Sequence, residues 1–246
     1  MGFSTGTLDE DLLQIRAPSL SFNVLRDASG LYLLDAGFIG GRALLRRALR
    51  RRGWERERIR GIIVTHGHLD HILNVAAIAR DTGAWIAAPR LDADHYAGHP
   101  RYQGPARLTG LLESIGRPVL GFWPFVPDRW LDDDDLIDVW GGLRAILLPG
   151  HTHGHMGFYS ERRRLLFSAD LFASYGAARL PPSIFNSAPE QIPSSIAKAL
   201  TLDLAGVIPN HCDRATPAIH LARLRGLVPK NPIEPRPSSA HPDRLQ

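Results

Sequence analysis

The chain has 246 residues, 44% of them hydrophobic, and a formal net charge of +4 at pH 7. This composition is typical of a globular protein. The single cysteine, Cys212, excludes an internal disulfide and favours a reducing compartment. No apolar run approaches the ~18 residues of a membrane helix, and the first residues lack the pattern of a signal peptide. We therefore expect a cytoplasmic protein without membrane contact.

The first part of the chain predicts alternating strands and helices. SLSFNVLRD and LYLLDAG form two strands joined by a short turn, which predicts a hairpin. An arginine-rich amphipathic helix then begins at Gly41 and ends at Gly53. The strand GIIV, the helix LNVAAIARDTG and the strand AWIAAP follow. This alternation indicates a layered α/β architecture.

The region from 91 to 130 is less regular and predicts only short helical patches. Its end, VLGFWPFVPDRW, is aromatic and rich in proline, so a central strand is excluded and an exposed or lid-like loop is expected. Aromatic side chains on such a loop are candidate walls of an apolar pocket. We therefore assign Trp123 and Phe125, together with Tyr175, to substrate binding. The alternative is that the loop simply packs over the core.

The rest of the chain predicts further strands and two helices. LIDVWGGLRAILLPG and GFYSERRRLLFSAD predict strands with turns at Gly141 and near Glu161, and GVIPNH predicts a last strand. SSIAKALTLDL and PAIHLARLRGLV predict helices. We expect a single domain over residues 1–228 and a disordered tail, rich in proline and serine, over residues 229–246.

Residues that can bind a metal follow four of the predicted strands. They are His66, His68, Asp70 and His71 after GIIV, His151 after AILLPG, Asp170 after LLFSA, and His211 after GVIPN. Strands that end at one edge of a sheet bring their terminal loops together, so these side chains are expected to converge. Imidazole and carboxylate ligands favour Zn, with Fe or Mn as alternatives. Seven such ligands suit two ions that share a carboxylate.

The segments THGHLDH, PGHTHGH, FSADLF and PNH resemble the signature motifs of the metallo-β-lactamase fold superfamily, in its branch of glyoxalase II and lactonases. LYLLDAG, with Asp35, also resembles a strand of that family. The resemblance implies a four-layer αββα sandwich of two mixed sheets flanked by helices. It also implies a first metal held by His66, His68 and His151, a second held by Asp70, His71 and His211, and a bridge formed by Asp170.

Two histidines of PGHTHGH compete for one ligand position. The family usually has proline where His153 stands. We favour His151 as the ligand because it directly follows Pro149 and Gly150, which match the turn of the family at the end of the strand. His155 then matches a histidine that supports the ligands. Of the remaining histidines, His95 and His99 are expected to be exposed to solvent.

The resemblance implies a dinuclear metal-dependent hydrolase with a small-molecule substrate. Its nucleophile would be a metal-bridging hydroxide that attacks a small ester, lactone or thioester. Asp70 is assigned a catalytic role as well, because it can orient the nucleophile or pass a proton to the leaving group. The alternatives are a phosphodiesterase or nuclease of the same fold and a mono-iron persulfide dioxygenase. Binding to nucleic acid is not favoured, and the sequence leaves the oligomeric state open.

Overall fold

The computed structural model describes residues 4–17, 20–102 and 104–228, so the predicted disordered tail lies outside the described residues. Within them, one sheet contains β1 (Ser4–Asp9), β2 (Leu12–Arg16), β3 (Ser21–Asp27), β4 (Gly30–Leu34), β5 (Ile59–Ile63), β6 (Trp85–Pro89) and β7 (Arg129–Leu131). The strands lie in this order. The first four are antiparallel, whereas β4 to β7 are parallel to one another.

A second sheet has the order β14-β11-β10-β9-β8. Its strands are β8 (Leu136–Ile137), β9 (Leu143–Leu147), β10 (Met156–Ser160), β11 (Leu165–Ala169) and β14 (Gly206–Pro209). β10 is antiparallel to both β9 and β11, and β14 is parallel to β11. The carboxyl ends of β9, β11 and β14 therefore lie at one edge of the sheet. A separate hairpin is formed by β12 (Ala173–Tyr175) and β13 (Ala177–Arg179).

The helices are α1 (Gly41–Arg52), α2 (Leu69–Ile72), α3 (Val75–Thr82), α4 (Ala93–Tyr96), α5 (Arg107–Val119), α6 (Ile192–Leu200) and α7 (Pro217–Arg225). None of the described helices is long and apolar enough to span a membrane. The predicted hairpin of β3 and β4 is confirmed, and α1 ends before Gly53, whose φ of 77° is left-handed.

Three apolar clusters define the layers. The side chains of β4 alternate, so Leu33 packs towards α1 and α3 while Leu34 packs towards the second sheet. Phe158 and Phe167 of the second sheet meet Leu34 in the cluster between the sheets. Ile196 of α6 belongs to a third cluster on the far face of that sheet. The result is the expected order of helix, sheet, sheet and helix.

The prediction of only short helical patches between residues 91 and 130 is wrong, because α5 is a 13-residue helix. Gly110, Gly116 and Pro118 lower its intrinsic helix propensity and conceal it in the sequence. Gly110 is required by packing, since a Cβ there would lie 2.5 Å from the Tyr102 ring. The exclusion of a central strand from the loop around Trp123 holds, and only Arg129–Leu131 forms a strand at the end of the sheet.

Candidate metal centre

The turn after β5 brings four of the candidate ligands together. β5 ends at Ile63 and the short helix α2 begins at Leu69, with His68 immediately before it. The peptide N–H of His71 donates to the carbonyl oxygen of His68, 3.0 Å away, and closes the turn. His66, His68 and His71 are buried, whereas the Asp70 side chain is 36% exposed.

The first cluster contains His66, His68 and His151. One ring nitrogen from each lies within 4.8 Å of the others. Nδ1 of His68 faces Nε2 of His151 at 2.9 Å, so the two rings are directed at one point. His151 reaches this point through the turn that follows β9, in which Gly150 adopts a φ of 135°.

The second cluster contains Asp70, His71 and His211, again with their potential ligand atoms within 4.8 Å. Oδ2 of Asp70 lies 3.6 Å from Nε2 of His71 and 3.9 Å from Nε2 of His211. His211 is carried by the loop after β14. It is the most open of these histidines, with 27% of its side chain exposed.

Asp170 lies between the two clusters. Its Oδ2 is 3.4 Å from Nε2 of His151, 3.4 Å from Nε2 of His71 and 2.9 Å from Nε2 of His211. The carboxylate also forms a group with His66 and His71 whose ligand atoms lie within 4.8 Å. The peptide N–H of Asp170 donates to Nε2 of His155, which fixes the start of this loop. A carboxylate in this place can contact ions in both clusters.

Hydrogen bonds at the outer ring nitrogens orient three of the histidines. Asp35 accepts a hydrogen bond from Nδ1 of His71 at 2.9 Å and another from the Thr65 hydroxyl. Because that hydroxyl is donated to Asp35, Nδ1 of His66 must donate to the Thr65 oxygen, 2.9 Å away. Nδ1 of His151 donates to Oδ1 of Asn186 at 2.8 Å. Each ring therefore presents the lone pair of Nε2 to the centre.

Burial and local charge set the protonation of the cluster. Burial and the neighbouring imidazoles hold the pKa of His66 and the pKa of His68 well below the usual range, which favours the neutral, ligating form. Burial alone would lower the pKa of His211, but the Asp170 carboxylate raises it to about 9. Burial alone would raise the pKa of Asp170, but His211 and His71 hold it well below the usual range.

Buried polar atoms without hydrogen-bond partners indicate that the clusters fit a metal ion. Three buried polar atoms of the candidate ligands make no hydrogen bond within the described part of the chain: Nε2 of His66, Nε2 of His71 and Oδ1 of Asp170. Unsatisfied buried groups of this kind cost roughly 1–3 kcal/mol each. A cation bound to them would remove that cost, and nitrogen and carboxylate donors suit Zn, Fe or Mn.

Several residues that support the metal-binding clusters were not identified from the sequence. Asp92 is 1% exposed and joins the turn containing His66 and His68 to the turn after His151, since it accepts from the N–H groups of Gly67 and Gly154. Asn186, which orients His151, also carried no motif. Asp35 was noted only as part of a strand motif. These residues lie far apart in the sequence from the groups they bind, so no local spacing reveals them.

Other histidines differ from the ligands in their surroundings. His153 is exposed, whereas His151 lies in the cluster, as expected from its place after Gly150. His99 is exposed as expected. The expectation of an exposed His95 is wrong, because its side chain is buried and its Nδ1 donates to the carbonyl oxygen of Gly67 at 2.9 Å.

A cavity of about 410 Å³ opens onto both clusters. Tyr175, which the sequence analysis assigned to substrate binding, lines it. Trp123 and Phe125 are not among the described residues that line it, and their assignment to substrate binding stays a prediction. The Arg80 guanidinium lies over the Trp123 ring at 4.2 Å, and Phe125 stacks on Tyr96. Phe122 and Phe125 of this loop pack against the core.

Comparison with known proteins agrees with this geometry. The family model of the metallo-beta-lactamase superfamily matches residues 21–211. The hydroxyacylglutathione hydrolase of Ectopseudomonas mendocina is 27% identical over 172 residues, which cover 70% of this chain and 53% of that enzyme. The enzyme of the same name from Aeromonas hydrophila is 33% identical over 143 residues, covering 57% of this chain and 42% of that enzyme. The chain thus spans about half the length of these curated relatives.

Solved structures share the fold. A metallo-beta-lactamase family protein from Thermus thermophilus superposes with a TM-score of 0.70 at 19% identity, covering 90% of this chain and 79% of that one. A metallo-beta-lactamase from Cronobacter sakazakii gives a TM-score of 0.66 at 21% identity, covering 90% and 91% of the two chains. At such identities the likeness concerns the fold alone.

Proposed function

Since this chain belongs to the metallo-beta-lactamase superfamily, whose members include metallo-hydrolases, we propose that it is a metal-dependent hydrolase of a small ester, lactone or thioester. One observation carries the proposal. Seven ligand-type side chains from four strand ends form two clusters, and the Asp170 carboxylate lies between them. Packing of the described residues does not require buried imidazole nitrogens that lack hydrogen-bond partners to surround one carboxylate.

We assign His66, His68 and His151 to one metal ion and Asp70, His71 and His211 to a second. Asp170 would contact both ions, because its Oδ2 lies within 3.4 Å of a ring nitrogen from each group. Zn is the metal that best suits such nitrogen and carboxylate donors, and Fe or Mn would also be accepted. The pKa values of His66 and His68, held low by burial and neighbouring imidazoles, favour metal binding at neutral pH.

Divalent ions, when bound here, would activate water at neutral pH and polarise a carbonyl oxygen. The protein itself orients the groups around them. Asp70 lines the cavity and is partly exposed, so its carboxylate can orient a water molecule or pass a proton to the leaving group. Asn186 and Asp35 hold the rings of His151 and His71 in place and thereby fix the geometry against which a substrate carbonyl is positioned.

A hydrolysis screen tests the proposal. Protein purified without chelator, chelator-treated protein and reconstituted protein would be assayed with an aryl ester, a lactone, a thioester, a β-lactam and a bis-aryl phosphodiester. The names of the curated relatives make the thioester the first choice. We expect turnover of a carbonyl substrate that is lost with chelator and restored by metal. The variant Asp170→Asn should lose it, and the matched surface variant Asp132→Asn should retain it.

Turnover that survives complete removal of metal would contradict the proposal. Metal-dependent cleavage of the phosphodiester alone would replace it with a phosphodiesterase.

A further inference from the structure

Helix α5 presents its polar face to the protein and its apolar face to solvent, the reverse of an ordinary surface helix. Its buried side chains are those of Thr109, Glu113 and Arg117. The outer face carries Leu108, Leu111, Leu112, Ile115 and Val119, which are 52%, 59%, 59%, 60% and 77% exposed. Exposed apolar side chains at this spacing are costly in water unless a ligand or partner covers them.

The buried polar face connects α5 to the metal-binding turn. Oε1 of Glu113 accepts a hydrogen bond from the peptide N–H of Leu69 at 2.9 Å, directly after His68. Oε2 of Glu113 pairs with Arg117 at 2.6 Å, and Arg117 donates to the carbonyl oxygen of His95. The polar face therefore positions the helix beside the metal-binding turn, and Leu112 on its apolar face lines the cavity.

The cavity has two apolar walls above the metal-binding residues. Leu112, Gly116 and Leu120 line it from α5 and the residue that follows the helix, and Pro181, Pro182 and Phe185 line it from a second segment. The Thr109 hydroxyl donates to the carbonyl oxygen of Ile184, so the two walls are joined. A volume of about 410 Å³ lies within the ~300–1,000 Å³ typical of sites for small organic ligands.

Outside the metal clusters, the described residues that line the cavity offer no cationic side chain to a substrate. No lysine or arginine lines it within the part of the chain that the structure describes. Of its polar lining outside the clusters, both Glu113 oxygens and the Thr109 hydroxyl already have protein partners. A substrate with carboxylates, such as a glutathione conjugate, would bring charges for which the described lining holds no lysine or arginine partner. An apolar chain would instead be desolvated favourably.

We propose that the substrate of this site carries an extended apolar acyl chain, which lies between α5 and residues 181–185 with its carbonyl group at the metal clusters. The inference rests on the proposed hydrolase function and adds the class of substrate. It also separates this chain from its curated relatives, whose names specify a glutathione conjugate.

Two neighbouring leucines of α5 provide a matched pair of variants. Leu111 and Leu112 are each 59% exposed, but only Leu112 is among the described residues that line the cavity. Octanoate, acetate and S-methylglutathione would be titrated calorimetrically into the metal-loaded parent, Leu112→Ser and Leu111→Ser. The ratio of kcat/KM for octanoyl and acetyl esters of one phenol would be measured on the same proteins. Circular dichroism melts would establish that both variants are folded.

We expect octanoate to bind the parent more tightly than acetate or S-methylglutathione. Leu112→Ser should weaken octanoate binding and lower kcat/KM for the octanoyl ester about tenfold, with acetate and the acetyl ester little changed. Leu111→Ser should match the parent. The inference is overturned if S-methylglutathione binds as tightly as octanoate, or if octanoate binds no better than acetate.

Equal losses in the two leucine variants would also overturn the inference, because the whole outer face of α5 would then be a docking surface. Light scattering of the parent and variants would identify a second copy of the chain as its partner. Failure of the inference remains distinguishable from failure of the proposed function. Metal-dependent turnover without a preference for the octanoyl chain contradicts only the inference, whereas metal-independent turnover contradicts the function.

Discussion

Replacing Asp92 with asparagine tests whether one buried carboxylate holds the metal-binding turns together. Its Oδ2 accepts from the N–H of Gly67 at 2.8 Å and from the Thr152 hydroxyl at 2.7 Å. Its Oδ1 accepts from the N–H of Gly154 at 2.8 Å, and a Cβ at Gly154 would lie 2.7 Å from that oxygen. Asparagine keeps the shape of the side chain but removes the charge and one acceptor.

The size of the effect follows from these three bonds. The new amide group must face one backbone N–H, and a buried unsatisfied donor costs roughly 1–3 kcal/mol. The remaining bonds change from charged to neutral, which weakens each by about 1 kcal/mol. We therefore expect Asp92→Asn to lower the free energy of unfolding by about 3–5 kcal/mol. In a domain of this size that corresponds to a fall in Tm of roughly 6–20 °C.

The assay is thermal and denaturant unfolding of parent and variant, with and without metal, together with a competitive metal titration. The variant should also bind metal about 10- to 100-fold more weakly, as expected when support for metal ligands is removed. Asp132→Asn is the control, since the exposed Asp132 pairs with Arg90 at the surface and should change stability by less than about 0.5 kcal/mol. If Asp92→Asn unfolds and binds metal like Asp132→Asn, the carboxylate does not join the turns.

Three further results are expected. His151→Ala should lose metal on elemental analysis, whereas His153→Ala, at an exposed position, should keep it; the reverse result would place the ligand at His153. Metal affinity should rise with pH up to about 9. Although burial lowers the pKa of His211, the Asp170 carboxylate raises it to about 9, so a metal ion must displace a proton from His211 below that pH. Metal titrations at several pH values would measure this dependence. Glu113→Ala should lower the free energy of unfolding by about 3–5 kcal/mol in denaturant titrations, because it leaves Arg117 buried and unpaired; a loss no larger than that of an exposed glutamate would contradict this.

The convergence of the ligand-type residues follows from the sequence because it depends on strand direction. Each of these groups directly follows an apolar strand, and the carboxyl ends of β9, β11 and β14 lie at one edge of the second sheet. A strand that is buried on both faces, such as β4, can also be predicted because it forms a continuous apolar run in the sequence. These features depend on neighbouring residues in the sequence, so they can be predicted without knowledge of the fold.

The walls of the cavity depend on contacts that no local pattern shows. The apolar face of α5 points to solvent because Glu113, on the opposite face, accepts a hydrogen bond from Leu69, which is 44 residues away in the chain. The aromatic residues around Trp123 predict the wall of an apolar pocket, but the sequence does not show on which side of the sheet their loop lies. In the structure Trp123 packs against Arg80, away from the cavity.

The metal content of the protein tests the central proposal most directly. Protein purified without chelator and then reconstituted would be measured by elemental analysis beside Asp170→Ala. We expect about two transition-metal ions per chain, chiefly zinc, and a loss of both metal and hydrolysis in the variant, because this carboxylate lies within 3.4 Å of histidines from both clusters. Less than half an equivalent of any transition metal in the reconstituted parent would contradict the account.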